Sequence, residues 1–99
     1  DMEERYRLII STILNAIGCQ VEVEHMLSTG RIDIVASTSR FIYVMELKLT
    51  NNGGINAAEK QIINNGYLKP FLADDRKVIG LAIELDDKGK GLIDWKEVK

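Results

Sequence analysis

Two acidic residues and one lysine stand out in the sequence because each interrupts a run of apolar residues. Asp33 lies within the run 31–36, and Glu46 and Lys48 lie within the run 41–49. If the run 41–49 is a strand, Glu46 and Lys48 point to the same face, because residues two apart on a strand do so. Carboxylate oxygens are ligands that Mg²⁺ prefers, and a neighbouring ammonium stabilises charge that develops on a phosphate. These residue types therefore favour metal-assisted phosphate chemistry, provided that Asp33 lies close to Glu46.

A solvated strand face is the alternative interpretation of the same residues. Glu and Lys often alternate on exposed strands, where their ion pairs contribute little to stability. Two observations weigh against it here: the run 41–49 is long and otherwise apolar, as a central strand is, and Asp33 interrupts a second apolar run. Charges inside a sheet that helices cover are costly unless they are paired or bound to metal. On the residues alone both interpretations stay open.

The elements that would position these residues follow from hydrophobic periodicity. A helix is predicted over 2–17, with one broad apolar face formed by Tyr6, Ile9, Ile10, Ile13, Leu14 and Ile17. Three strands separated by short turns are predicted next, which favours an antiparallel meander. The Asn-Asn-Gly-Gly segment at 51–54 is followed by a second helix and a short helical turn near Pro70. An apolar strand, a hairpin turn and a polar edge strand come after them. The predicted strands are 20–27, 31–36, 41–49, 76–85 and 92–98, and the second helix is 55–65.

The element order is therefore α-β-β-β-α-β-β, which predicts an α/β fold with one central mixed sheet and a helix on each face. The second helix serves as a crossover that makes the third and fourth strands parallel neighbours. Counting across the turn near residue 39 places Asp33 opposite positions 43–46, allowing for a bulge. All 99 residues are predicted to form one domain.

Composition limits the function classes. A hydrophobic fraction of 45% excludes a disordered chain, and no apolar run is long enough to span a bilayer. The net charge of −2, from 13 basic and 15 acidic residues, argues against binding nucleic acid through a broad basic surface. A single cysteine, Cys19, and a charged start predict a cytoplasmic protein. Because the chain begins at Asp1, we expect it to be a fragment of a longer protein.

Several segments together resemble a known family. The segment 30–35 (Gly-Arg-Ile-Asp-Ile-Val), the segment 46–49 (Glu-Leu-Lys-Leu), and the helix 57–62 with Gly66 and Tyr67 behind it are similar to the PD-(D/E)XK nuclease superfamily. More narrowly, they resemble the nuclease-like domain at the C-terminus of certain bacterial AAA-ATPase-like proteins. The resemblance covers roughly residues 4–95.

The resemblance implies a restriction-endonuclease-like αβββαβ core and hydrolysis of phosphodiester bonds in DNA or RNA with Mg²⁺ or Mn²⁺. It assigns Asp33, Glu46 and the Leu47 carbonyl as metal ligands. The catalytic residues that it implies are Asp33, Glu46, Lys48 and Gln61. Glu4 falls loosely where some relatives carry a further acidic residue, and Ile32 replaces the proline that gives the motif its name.

A second hypothesis is that the chain is a catalytically silent interaction or regulatory module of a larger ATPase. Its mild acidity and small size favour this alternative, because few basic residues remain to hold a substrate. Stabilisation by a divalent metal that depends on Asp33 distinguishes the two hypotheses.

Structural roles are predicted for the other conspicuous residues. His25 is expected at the surface or rim, and Cys19 is expected to be buried as a small hydrophobe. Glu22 and Glu24 are expected on a solvated strand face, with the alternative that one of them reaches the metal. Arg31 and Lys60 are expected as surface charges, with contact to phosphate as the alternative. Trp95 and Tyr67 are expected to pack rather than to stack on bases. A surface that stacks on bases combines several aromatic residues with basic residues between them, and the sequence has no such pattern.

Overall fold

A computed structural model describes residues 1–99. The order of its elements is the predicted one, with boundaries within one residue of those expected. The elements are α1 (Met2–Ala16), β1 (Gln20–Leu27), β2 (Gly30–Ser37), β3 (Phe41–Leu49), α2 (Gly54–Asn64), β4 (Lys77–Leu85) and β5 (Leu92–Val98), with short 3₁₀ turns at Thr50–Asn52 and Lys69–Phe71. No helix has the length and apolar character that crossing a bilayer requires.

One five-stranded sheet has the order β1-β2-β3-β4-β5. The strands β1, β2 and β3 form the predicted antiparallel meander. The crossover through α2 makes β4 parallel to β3, and β5 returns antiparallel as an edge strand. The central position predicted for β3 is confirmed, so the residues of β3 have neighbours on both sides.

A helix covers each face of the sheet, as predicted. On the α1 side, Tyr6 packs with Ile34, Met45 and Leu47 in one apolar cluster. On the α2 side, a second cluster is formed by Ile32, Val35, Ile42, Val44, Ala58, Ile62, Tyr67, Ala82 and Val98. Alternate residues of β3 enter the two clusters, because successive side chains of a strand point to opposite faces. The fold is thus α/β with a mixed central sheet.

The start of α2 is fixed by a residue from another strand. No side chain of the preceding segment caps the helix. Instead, the carboxylate of Glu84 in β4 accepts hydrogen bonds from the Ile55 N–H (2.9 Å) and the Thr50 hydroxyl (2.6 Å). Gly53 has a φ of 98°, and a Cβ there would lie 2.6 Å from that of Ala57, so the turn requires glycine. These contacts set where β3 ends and where the crossover begins.

The apolar face predicted for α1 is only partly buried. Ile9, Ile13 and Ile17 are 54%, 56% and 72% exposed, whereas Ile10 and Leu14 pack against the core. The helix lies over β1, β2 and β3, and only the stripe that faces these strands is buried. The face along Ile9, Ile13 and Ile17 therefore points away from the core.

Three smaller predictions have mixed outcomes. Trp95 was expected to pack, and that is wrong: it is 61% exposed on the edge strand β5. Cys19 is only half-buried, against the α1-side core. His25 does lie at the rim, with its ring beside that of Phe71 and its Nδ1 bonded to Glu22.

Candidate active site

The strands separate at Asp33. The β2–β3 ladder runs only as far as Ile34 and Met45, and the β1–β2 register skips the position where Asp33 faces Glu24. Side chains replace the missing ladder bonds: the Leu47 N–H donates to Asp33 Oδ2 (2.8 Å), and the Asp33 N–H points to Glu46 Oε1 (3.4 Å). The break in the sheet therefore places the Asp33 and Glu46 carboxyl groups side by side, within the register range that the sequence predicted.

Both carboxyl groups are buried. Asp33 is 6% exposed and Glu46 is 2% exposed. Burial raises the pKa of Glu46 to about 8, and the negative charge of Asp33 adds to the effect. Burial also raises the pKa of Asp33, although the hydrogen bond from Leu47 opposes it. An isolated pair of buried carboxylates is unfavourable, so this position favours either a proton or a cation.

Lys48 supplies positive charge beside this pair. Its ammonium lowers the pKa of Glu46, of Asp33 and also of Glu3. It nevertheless forms no ion pair within 4.0 Å, so no carboxylate holds it in direct contact. Asp33 and Glu46 are thus brought together as predicted, and Lys48 acts on both through its charge without an ion pair to either.

The first helix contributes two residues that sequence reasoning missed. Burial, and then the negative charge of Asp33, raises the pKa of Glu3. Arg7 Nη1 lies 3.8 Å from Asp33 Oδ1. Glu4 was the acidic residue expected here, but its side chain is 63% exposed and lies beside the N-terminal amine. The signal was the spacing: positions 3 and 7 continue the buried stripe of Ile10 and Leu14 rather than the exposed one.

Glu24 also faces the site rather than only the solvent. It has a φ of 52°, a backbone conformation that costs on the order of 1–3 kcal/mol for a residue other than glycine. Its carboxylate bonds Arg7 Nη2 (2.8 Å) and approaches Arg31 Nη1 (3.9 Å). The positive φ interrupts the regular backbone of β1 at the position where the β1–β2 ladder is broken. The expectation that Glu24 lines a solvated face is therefore only half right, since its side chain is 40% exposed.

A groove of about 310 Å³ opens from the surface beside these residues. The start of α1 forms one wall through Glu3 and Arg7, and Glu24 and Arg31 of the β1–β2 edge form another. Asn52, in the 3₁₀ turn after β3, completes the lining. Arg7 lines this groove and also contacts Asp33, so the groove lies next to the carboxyl pair.

Gln61 is not in contact with the carboxyl pair. Its Nε2 donates to the hydroxyl of Tyr67 (3.1 Å). That hydroxyl donates to the Arg31 carbonyl and accepts from the Arg31 N–H, both at 3.1 Å. Gln61 therefore reaches β2 two residues before Asp33, through Tyr67. The catalytic role predicted for Gln61 stays a prediction.

Tyr67 packs completely, as predicted, and it also fixes the start of β2. It is fully buried, and Asn65 Nδ2 bonds the same hydroxyl at 3.3 Å. A Cβ at Gly30 would lie 2.6 Å from the Tyr67 oxygen, so only glycine allows β2 to begin so close. The Gly-Arg-Ile-Asp and Gly-Tyr segments are thus one packing unit that positions Asp33.

We expect Tyr67→Phe to lower the free energy of unfolding by about 1–3 kcal/mol, because it leaves the partly buried backbone of Arg31 and the Gln61 amide without their partner. Denaturation in urea measures the change. The matched control is Tyr43→Phe, at a half-buried tyrosine stacked on Phe41 whose hydroxyl no protein group bonds. Equal effects of the two substitutions would contradict the assignment.

The donor set suits a divalent metal that retains water ligands. No three Asp, Glu, His or Cys side chains lie close enough together to hold an ion by themselves. Mg²⁺, however, is commonly bound through one or two carboxylates with waters completing its shell, and Asp33 and Glu46 supply two. The Leu47 carbonyl points to the same side as its N–H, towards Asp33, because both groups of a strand residue face the same edge. The residues present therefore fit a Mg²⁺- or Mn²⁺-type ion.

A mixed sheet between two helices, with Asp33, Glu46 and Lys48 where two strands separate, defines a protein of the restriction-endonuclease-like class. The family model of the PD-(D/E)XK nuclease superfamily matches residues 1–95, and the chain belongs to this superfamily. No curated protein and no solved structure matches the chain. The family match includes no ATPase segment, so the association with an ATPase domain stays a prediction.

Proposed function

We propose that this domain hydrolyses phosphodiester bonds of DNA or RNA with a divalent metal, Mg²⁺ or Mn²⁺. The observation that carries the proposal is the pair of buried carboxyl groups, Asp33 and Glu46, at a break in the sheet with Lys48 beside them. Two neighbouring carboxylates with only a structural role are rarely buried without cations and hydrogen-bond donors that balance their charge. Membership of a nuclease superfamily supports the same chemistry.

In this proposal each residue of the site has a separate task. Asp33, Glu46 and the Leu47 carbonyl hold the metal, which when bound lowers the pKa of a water and neutralises charge on the phosphate. The Leu47 N–H fixes the orientation of the Asp33 carboxylate through Oδ2. Lys48, which has no ion-pair partner, keeps its ammonium available for the attacking water or for the charge on the phosphate.

Substrate binding in this proposal is local rather than spread over the surface. The chain carries a net charge of −2, so broad electrostatic attraction to a polyanion is absent. The cations that face the groove are Arg7 and Arg31, and Arg31 is half-exposed. We propose Arg31 as a phosphate contact. The affinity for nucleic acid should then fall with rising salt only as steeply as one or two phosphate contacts imply.

Asp33→Asn tests the metal site. In the wild-type protein, Mg²⁺ or Mn²⁺ at 100 times its dissociation constant stabilises the fold by about 2.7 kcal/mol, which for a domain of this size raises the melting temperature by about 10 °C or more. Asp33→Asn keeps an oxygen for the Leu47 N–H but loses the charge, so we expect neither the metal-dependent shift nor cleavage. Asp75→Asn, at an exposed aspartate without hydrogen bonds, is the matched control.

Two outcomes would overturn this assignment. A metal-dependent shift that survives in Asp33→Asn would place the metal elsewhere. A wild-type protein that neither gains stability from metal nor cleaves single- or double-stranded DNA or RNA would favour the non-catalytic regulatory module.

A further inference from the structure

Arg7 links the carboxyl pair to a carboxylate outside it. Its guanidinium contacts Asp33 through Nη1 and Glu24 through Nη2, and its side chain is only 14% exposed. Glu4 lies farther away, at 4.0 Å, and is largely exposed. Because Arg7 lies between a proposed metal ligand and a second acid, a cation that binds at Asp33 changes the contact between Arg7 and Asp33.

The two contacts of Arg7 are unequal. The distance of 2.8 Å to Glu24 is that of a charge-assisted hydrogen bond. The distance of 3.8 Å to Asp33 exceeds hydrogen-bond length, so this contact is electrostatic attraction alone. Arg7 can therefore lose its contact with Asp33 without losing its contact with Glu24.

The backbone of β1 is unusual at Glu24, the residue that forms the shorter contact with Arg7. Glu24 adopts a left-handed conformation, with φ at 52°, at the position where the β1–β2 ladder skips Asp33. A residue other than glycine keeps such a conformation only where its surroundings fix it. The ion pair with Arg7 is the shortest contact of the Glu24 side chain.

The balance of charge explains why Arg7 matters before metal binds. Asp33 and Glu46 lie side by side and are buried, and Glu3 lines the adjoining groove. Arg7 is the only cation within 4.0 Å of either carboxylate. A divalent ion at the same carboxylate would experience repulsion from Arg7, because like charges at such distances interact strongly where solvent is excluded.

We propose that Arg7 is the counter-cation of the metal-free site, and that a divalent cation at Asp33 and Glu46 replaces its contact with Asp33 while Arg7 stays on Glu24. This inference rests on the proposed metal site. Arg7 is then a positioning residue that stabilises the metal-free protein and, in exchange, weakens its affinity for metal. Glu24 acts in the opposite direction, because it draws Arg7 away from Asp33.

Calorimetric titration of the metal-free protein with Mn²⁺, together with melting in EDTA, tests the inference. Arg7→Met removes the charge and keeps the apolar stem of the side chain; we expect Mn²⁺ to bind about tenfold more tightly and the metal-free protein to melt at a lower temperature. Glu24→Gln releases Arg7 towards Asp33, and we expect Mn²⁺ to bind about threefold more weakly or worse. Arg7→Lys keeps the charge and should stay near wild-type affinity, as should Arg5→Met, at an exposed arginine on the same helix.

A merely structural role would move the affinities of Arg7→Met and Glu24→Gln in the same direction, and that result would overturn the inference. Unchanged or weaker Mn²⁺ binding by Arg7→Met, with the wild type binding normally, would also overturn it and leave the metal site intact. If Arg7→Met does not fold, Arg7→Lys and Glu24→Gln still decide, because the first should bind Mn²⁺ like the wild type and the second more weakly; equal losses in both contradict the proposal. Failure of the metal site itself looks different, because then no form of the protein, wild type included, binds Mn²⁺.

Discussion

Lys48→Met is expected to lower kcat for phosphodiester cleavage by about 10²–10³-fold, because an electrostatic group directed at charge developing in the transition state typically contributes that much. The structure gives the substitution little to disturb otherwise. Lys48 forms no ion pair within 4.0 Å, and exposed or half-exposed charges of this kind add only about 0–1 kcal/mol to stability. The melting temperature should therefore stay close to that of the wild type, and metal affinity should not fall, because the substitution removes a positive charge from beside the carboxyl pair.

The matched control for this experiment is Lys77→Met. Lys77 pairs with Phe41 at the opposite end of β3 from Lys48, and its side chain is exposed. Cleavage must be compared at saturating metal and substrate, so that kcat rather than KM is read. If kcat for Lys48→Met remains at the wild-type value, Lys48 is a solvated strand residue and has no catalytic role.

Comparison with Asp33→Asn separates an effect on catalysis from an effect on metal binding. Both variants are expected to lose cleavage, but only Asp33→Asn should also lose metal-dependent stabilisation. A variant that keeps metal and loses turnover isolates an effect on the transition state. Loss of both properties in both variants would instead indicate that Lys48 acts through the metal ligands.

Local signals in the sequence were sufficient to predict the sheet. The run that forms β3 is long, apolar and bounded by turns, so its central position followed from composition alone. The alternation of Val44 and Met45 between the two core clusters follows from the pleat of a strand. The parallel pairing of β3 with β4 followed because α2 is a crossover helix and such connections have few alternatives.

The proximity of Asp33 and Glu46 was predictable for a similar reason. A short turn fixes the register of β2 on β3, and a one-step uncertainty in that register still left the two residues close. The predicted register gave no indication of the break in the ladder, where Asp33 accepts a hydrogen bond from the Leu47 N–H. Such breaks depend on the groups packed around them, and the strand propensities of the residues do not predict them.

The residues on α1 and β1 were missed because their positions depend on tertiary packing. The helix has more apolar surface than the sheet covers, so periodicity alone did not separate the stripe of Tyr6 and Ile10 from that of Ile9 and Ile13. Choosing the buried stripe would have identified Glu3 and Arg7 as site residues. Glu24 is a strand residue with positive φ, which no pattern in an alternating strand predicts.

Glu46→Gln should stabilise the metal-free protein in alkaline solution, and it is the substitution with the largest expected effect on stability. Burial raises the pKa of Glu46 from 4.5 to about 8. Between those pH values the folded protein keeps a proton that the unfolded chain has released, so unfolding releases a proton and the free energy of unfolding falls as pH rises. The decline is at most about 1.4 kcal/mol per pH unit and levels off above the folded pKa, for a total on the order of 5 kcal/mol.

A glutamine at this position has no proton to lose, so the stability of Glu46→Gln relative to wild type should grow from about pH 5 to pH 8 and then stay constant. Urea denaturation in EDTA across this range measures the difference, and taking the difference cancels groups that titrate alike in both proteins. Glu97→Gln, at an exposed glutamate on β5, should follow the wild-type profile. If the curves for Glu46→Gln and wild type run parallel, the carboxyl group is not held protonated by its surroundings. Addition of Mg²⁺ should remove most of the wild-type decline, because a cation then compensates the charge, and it should give the variant little benefit.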